Sequence, residues 1–98
     1  MDKNALEISK KFSEIIRNNM NPQKIVLYGS YSRNEQKQDS DIDIAVIFDG
    51  FSGNEWEASS ELWLQAWKID NRIEPVLLDT QNDPSGFCEE VIRTGIEL

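Results

Sequence analysis

With 98 residues, a formal net charge of −8, one cysteine and no histidine, the chain can form one hydrophobic core, and we expect a single domain over residues 1–98 without a separate substrate domain. The acidic charge argues against direct nucleic-acid binding, which needs a basic surface to neutralise phosphates. One cysteine excludes an internal disulfide, and with no signal segment and no apolar run of about 20 residues the sequence predicts a cytoplasmic protein that is not embedded in a membrane.

The first half of the chain predicts a helix and two strands. Apolar residues at helical spacing predict an amphipathic helix over about residues 3–19, which Asn21-Pro22 ends. The apolar run Lys24 to Tyr28 predicts the first strand, and Gly29-Ser30 predicts a turn in which a short helix begins. Asp41 to Phe48 predicts a second strand, polar where it begins and apolar where it enters the core.

Residues 54–68 predict a second helix with tryptophans on one side. Its apolar face comprises Trp56, Ser60, Trp63, Leu64 and Trp67. Such a stripe is more typical of a buried core or a protein interface than of a base-stacking platform. The pattern does not separate core packing from docking of another protein.

The last third predicts one more strand and one more helix. Arg72 to Leu78 predicts a strand in which Pro75 indicates an edge position or a bulge, because proline cannot donate to a ladder. A final helix is predicted with Asp83 as N-cap, Pro84 at the first helical position and Gly95 just past its end. This order predicts an α+β fold, a small mixed sheet of three or more strands flanked by helices.

Asp41 and Asp43 form the most informative polar pattern. Residues two apart on a strand share a face, so both carboxylates would point to one side while Ile42 and Ile44 enter the core. Two adjacent carboxylates repel each other unless one is protonated or a cation lies between them. Magnesium prefers such oxygen ligands together with phosphates and water. The pair therefore predicts a magnesium site.

The turn before this strand offers groups that suit phosphates. Gly29 leaves the backbone open to a ligand, and Ser30 offers a hydroxyl and an amide, although a turn glycine and a helix cap would explain both equally well. Arg33 could reach a phosphate or pair with an acid such as Asp41. Ser40 could bind a phosphate or shape the entry to the strand.

Without histidine, proton transfer must fall to carboxylates. Glu74 is one of several candidates for a third acid that completes a metal ligand set or accepts the proton of an attacking hydroxyl. Asp49 and Asp79 follow the strands and would lie too far away. Cys88 lies in an apolar helical pattern and predicts core packing rather than nucleophilic catalysis.

Together, Gly29-Ser30-x-x-Arg33 and Ser40-Asp41-Ile42-Asp43-Ile44 resemble the signature of the minimal nucleotidyltransferases, small members of the DNA polymerase beta superfamily. The resemblance covers nearly the whole chain. It implies a mixed sheet with flanking helices and magnesium-dependent transfer of a nucleoside monophosphate from a triphosphate to a hydroxyl.

Carried over by position, the resemblance assigns the triphosphate to Gly29 and Ser30 and two magnesium ions to Asp41 and Asp43. It makes Glu74 the third carboxylate and gives Arg33 a supporting role at the loop or the phosphates. The chain departs from the family pattern at Asn34, where glycine is usual, and at Glu74, where aspartate is commoner. The second departure moves the expected base by one methylene.

The resemblance also implies a partner. Proteins of this kind are commonly encoded beside a small helical HEPN protein in a toxin–antitoxin pair, which predicts a hetero-oligomer in which the chain transfers AMP from ATP to its partner and neutralises it. Two alternatives stay open. One is an inactive antitoxin that only binds the partner, and the other is transfer to a small molecule, as in aminoglycoside nucleotidyltransferases.

Overall fold

The computed structural model describes residues 3–32 and 40–98. The elements in chain order are α1 (Lys3–Met20), β1 (Lys24–Tyr28), β2 (Ile42–Phe48), α2 (Glu55–Ile69), β3 (Ile73–Asp79), α3 (Phe87–Thr94) and β4 (Ile96–Glu97). The strands form one sheet in the order β3-β2-β1-β4. Because β2 is parallel to β3 while β1 is antiparallel to β2 and β4, the sheet is mixed and the predicted α+β fold is confirmed.

The sheet separates two apolar layers. Helices α1 and α2 cover one face, where the buried strand residues include Ile25, Leu27, Ile42, Ile44 and Ile73. Helix α3 covers the other face, where the buried residues are Val26, Ala45, Ile47, Cys88 and Val91. Cys88 therefore packs in the core, as predicted.

Most predicted boundaries agree with the structure to within one or two residues. β1 has the predicted bounds, and β2 and β3 each begin one residue later than expected. Pro75 lies in β3, an edge strand of the sheet, and the β2–β3 register continues past it without a bulge. Across residues 3–32 and 40–98, no helix combines the length and apolar character needed to span a lipid bilayer.

The predicted start of the last helix is wrong. α3 begins at Phe87, and its N-cap is Gly86 in the left-handed conformation with φ 78°. The Asp83 carboxylate nevertheless accepts hydrogen bonds from the backbone N–H groups of Cys88 at 2.9 Å and Glu89 at 3.0 Å. Asp83 thus satisfies the first N–H groups of the helix from outside it, across an intervening turn that contains Pro84.

The chain closes with a short strand that the sequence analysis did not identify. β4 pairs antiparallel with β1 through Leu27↔Ile96 and Val26↔Glu97. Gly95 ends α3 as predicted, and a Cβ there would lie only 2.9 Å from the Leu27 carbonyl oxygen. The glycine therefore lets the helix turn directly into the strand, which at two residues is too short to show an alternating pattern.

The tryptophan side of α2 faces outward. The buried residues of this helix are Leu62 and Ala66. Trp56, Trp63 and Trp67 are 80%, 50% and 75% exposed. The core-packing interpretation of these tryptophans is therefore wrong, while their role in docking stays a prediction.

Asp79, at the end of β3, holds the loop that follows β2. Its Oδ1 accepts hydrogen bonds from the backbone N–H of Gly50 at 2.8 Å and of Gln81 at 2.9 Å. Its Oδ2 accepts one from the N–H of Phe51 at 2.9 Å. These hydrogen bonds stabilise the charged carboxylate and lower the pKa of Asp79.

We expect this loop contact to make stability sensitive to acid. In the unfolded chain the Asp79 carboxylate takes up a proton at about pH 4, whereas in the folded protein its pKa is lower. The contribution of the charged carboxylate to the free energy of unfolding is therefore complete above about pH 4 and is lost as the pH falls through the folded pKa. Asp79→Asn should lower the free energy of unfolding at pH 7 and flatten its decline below pH 4, measured by urea denaturation at a series of pH values. A variant with the stability and acid dependence of the wild type would contradict this role.

Candidate functional site

Two of the predicted acids lie side by side at one end of the sheet. Asp43, the second residue of β2, pairs with Glu74, the second residue of β3. On its other side Asp43 pairs with Tyr28, the last residue of β1. Directly paired residues project to the same face of a sheet. Tyr28, Asp43 and Glu74 therefore form a row on the face that α3 covers.

Tyr28 is a member of this row that sequence reasoning missed. Burial of its side chain raises its pKa to about 12, and the negative charges of Asp43 and Glu74 add to the effect. Its ring packs edge-on against Phe87, with centroids 5.7 Å apart and an interplanar angle of 81°. Tyr28 therefore contacts both the acids and the start of α3. This position depends on the pairing of β1 with β2, which the sequence pattern does not indicate.

Gly29 brings the turn after β1 against the Asp43 carboxylate. Its φ of 73° lies in the left-handed region that favours glycine. A Cβ at this position would overlap Oδ2 of Asp43 and lie 3.2 Å from its Cγ. The backbone conformation therefore favours glycine here, and a side chain at this position would displace the Asp43 carboxylate.

The turn is anchored by the residues that follow Gly29. Tyr31 is 1% exposed and packs in the core beneath α1 and α2, and its hydroxyl has no hydrogen-bond partner within the described residues. The Ser32 hydroxyl donates to the Gly29 carbonyl at 2.9 Å. Residues 29–32 form a turn, as predicted, and the continuation of the expected short helix lies outside the described residues. Ser30, partly exposed in this turn, lies next to Gly29, and its contact with phosphate stays a prediction.

Asp41 lies just before β2 and is exposed. Ile42 and Ile44 are fully buried against α1 and α2, so strand alternation directs Asp43 toward the opposite side, as the sequence analysis expected. Ser40 is half-buried where the chain enters this segment. The structure thus brings Asp41 and Ser40 to the same end of the sheet as Glu74.

The remaining residues singled out in the sequence lie outside the described residues or away from this row. Arg33 lies outside the described residues, as does Asn34. Asp79 pairs with Phe48 at the far end of the parallel ladder, and Asp49 binds the Thr80 hydroxyl beyond it, so both are remote from Asp43 as expected. In the described ranges no three His, Cys, Asp or Glu side chains are grouped closely enough to form a metal cluster, and the ligand set stays a prediction.

A surface cavity of about 620 Å³ lies elsewhere, beside α3. It is lined by Thr80, Asp83, Cys88, Glu89, Ile92 and Arg93. None of the predicted site residues that the structure describes lines this cavity. The cavity is therefore distinct from the carboxylate row.

Comparison with known proteins identifies relatives over most of the chain. The family model described as Polymerase beta, Nucleotidyltransferase matches residues 10–98. The protein adenylyltransferase MntA of Shewanella oneidensis is 33% identical in an alignment over 91 residues that covers 90% of this chain. The chain spans 62% of the length of that relative.

Solved structures have the same fold. A provisionally assigned nucleotidyltransferase of Sulfolobus solfataricus aligns with a TM-score of 0.67 over 96% of this chain and 78% of that one, and at 20% identity it supports the fold alone. A toxin–antitoxin structure with AMP-PNP aligns with a TM-score of 0.60 at 28% identity, over 99% of this chain and 72% of that one.

A structure of the MntA–HepT toxin–antitoxin complex aligns with a TM-score of 0.58 at 25% identity, over 94% of this chain and 69% of that chain. The family model covers the whole sheet, α2, α3 and the second half of α1, and therefore includes the turn at Gly29 and the acids Asp41, Asp43 and Glu74. The chain belongs to the polymerase beta nucleotidyltransferase family.

Proposed function

We propose that this protein is a magnesium-dependent nucleotidyltransferase that moves AMP from ATP to a hydroxyl of a partner protein and thereby acts as an antitoxin. The observation that carries the proposal is the row of Asp43 and Glu74 beside the Gly29 turn. Carboxylates that adjoin an open backbone turn suit a metal-bound triphosphate. Membership in the nucleotidyltransferase family supports the same reaction.

The proposed metal ligands are Asp41, Asp43 and Glu74. Their carboxylate oxygens are the hard donors that magnesium prefers, and phosphate oxygens and water would complete the coordination. Asp41 and Glu74 are exposed, so both are accessible to ions from solvent. Magnesium, expected as two ions, would neutralise charge on the phosphates and on these acids.

The proposed triphosphate contacts are Gly29, Ser30, Ser40 and Arg33. Gly29 lets the turn lie directly against the Asp43 carboxylate, so a phosphate bound at the turn would lie beside that acid. The hydroxyl groups of Ser30 and Ser40 can donate to phosphate oxygens, and both residues are partly exposed. An arginine at position 33 would add a charged donor for the same oxygens.

In the proposed reaction the acceptor hydroxyl oxygen forms a bond to the α-phosphorus of ATP. The bond from this phosphorus to the oxygen bridging the β-phosphate breaks, and pyrophosphate leaves with the electron pair. The hydroxyl proton passes to a carboxylate, because the chain has no histidine to accept it. We assign this base to Glu74, whose exposed position in the row leaves it accessible to an acceptor.

The comparisons support a protein as the acceptor. The MntA relative is a protein adenylyltransferase, and structures of MntA contain HepT as its toxin–antitoxin partner. The structure with AMP-PNP supports an adenine nucleotide as donor. We therefore infer a small helical HEPN-type partner that carries the modified hydroxyl.

A first test is thermal unfolding with and without magnesium and ATP. Ligand at about 100 times its Kd should stabilise the native state by about 2.7 kcal/mol, a shift of several degrees for a domain of this size. Asp41→Asn/Asp43→Asn should abolish the shift because it removes the metal ligands. The matched control Glu7→Gln/Glu14→Gln removes the same charge from exposed positions of α1 and should keep the shift. A shift that survives in the Asp41/Asp43 variant would contradict the assignment.

A second test follows the transferred group. The chain is incubated with magnesium, ATP labelled at the α-phosphate and the HepT protein of the solved complexes. Label should appear on HepT with the wild type and disappear with Asp41→Asn/Asp43→Asn. Inhibition of HepT without label would favour the inactive binding antitoxin. Label on an aminoglycoside that is supplied in a parallel reaction in place of HepT would favour small-molecule transfer.

Replacement of Gly29 should separate backbone strain from damage to the site. Gly29→Ala is expected to cost about 1–3 kcal/mol from its positive φ and, in addition, to displace the Asp43 carboxylate. Gly86→Ala is a matched control, since Gly86 has φ 78° but nothing within 4 Å of the added Cβ. Both variants should lose similar stability in urea denaturation, while only Gly29→Ala should lose the ATP-dependent thermal shift. Equal loss of the shift in both variants would argue against the role of Gly29.

A further inference from the structure

Helix α2 presents an apolar face that is largely exposed within the described residues. This tryptophan face consists of Trp56, Ser60, Trp63, Leu64 and Trp67. The three tryptophans and Leu64, which is 46% exposed, present about 500 Å² of side-chain surface. That is close to the largest apolar patch of an ordinary monomer, and such patches often mark protein contacts.

The order of residues along this face is self-complementary. When two copies of α2 lie antiparallel with Trp56 opposite Trp67 of the second copy, Ser60 falls opposite Trp63 of that copy. The small serine leaves space for the facing indole, and both contacts occur twice because a two-fold axis relates the copies. We propose that the protein forms a homodimer through antiparallel packing of its two α2 helices.

Charge complementarity supports this arrangement. At 3.6 residues per turn, Glu57 and Lys68 flank the same edge of the tryptophan face. In the antiparallel pair, Lys68 of one copy is offset along the helix axis from Glu57 of the other copy by about two residues. Because a helical side chain leans toward the N-terminus of its own helix, the two side chains lean toward each other and the distance between their charged groups shortens. Both side chains are exposed, and neither has an ion pair in the described part of the chain.

The area is consistent with a reversible dimer. Two tryptophan faces would bury about 1,000 Å² in total, at the lower end for specific interfaces. The net charge of −8 on each copy opposes association, so dimerisation should strengthen when moderate salt screens this repulsion. The acids stay accessible, because α2 covers the sheet face opposite to the one that carries Asp43.

The test is sedimentation equilibrium of the whole chain from about 1 to 100 µM, a range that spans the affinity expected for a small interface. The wild type should show a monomer–dimer equilibrium. Trp56→Ala and Trp67→Ala should each raise the Kd at least tenfold, because each change removes both Trp56–Trp67 contacts from the dimer. Ile96→Ser, which removes an exposed apolar residue of β4, should leave the Kd unchanged. Unchanged unfolding transitions in the tryptophan variants establish that the fold is kept.

Charge exchange tests the antiparallel arrangement itself. Glu57→Lys and Lys68→Glu should each weaken the dimer, since each places like charges together, and the double variant Glu57→Lys/Lys68→Glu should recover most of the wild-type affinity. A double variant as weak as the single ones would overturn this arrangement. A wild type that stays monomeric at 100 µM would overturn the dimer and leave the tryptophan face to a different protein. Asp41→Asn/Asp43→Asn should dimerise like the wild type, so the outcome is independent of the proposed transferase activity.

Discussion

The close approach of the Asp43 carboxylate to the Gly29 backbone is the constraint on which the candidate site depends. It requires the antiparallel register of β1 and β2, because that register places Tyr28 beside Asp43 and the following turn above it. It also requires a residue without a side chain at the start of the turn. The buried Tyr31 then anchors the turn in the core. Tyr28 and Gly29, where β1 ends, therefore also border the candidate site.

The acids occupy their positions because their neighbours are buried. Ile42 and Ile44 are inaccessible to solvent in the layer beneath α1 and α2, and a shift of one residue in β2 would bring carboxylates into that layer. The cost of burying an unpaired carboxylate makes such a shift strongly unfavourable. The packing of the core thus holds Asp43 in register with Glu74, although neither acid contributes to the apolar layer.

The sequence predicted the fold class and most element boundaries, because the apolar periodicities of α1 and β1 and the stop signal at Asn21-Pro22 are local. It also identified Asp43 and Glu74 as candidates that the parallel ladder then brings together. It failed where the outcome depends on distant parts of the chain. The helical spacing of the tryptophans is the same whether they face the core or the solvent. Only the structure, in which Leu62 and Ala66 are the buried residues of α2, shows that the tryptophans lie on the exposed side. The part played by Tyr28 likewise depends on strand register, and β4 is too short to produce a pattern.

Both edges of the sheet are poorly suited to accept a further strand. On one side β3 carries Pro75 in its interior, and since the ladder to β2 is continuous, the missing N–H falls on the outer edge. On the other side β4 offers only two residues. Continuation of the sheet into another molecule, the usual route to strand-mediated aggregation, is therefore disfavoured at both ends. Association with other proteins is then favoured through exposed helix faces, whose side chains can change without altering the hydrogen bonding of the sheet.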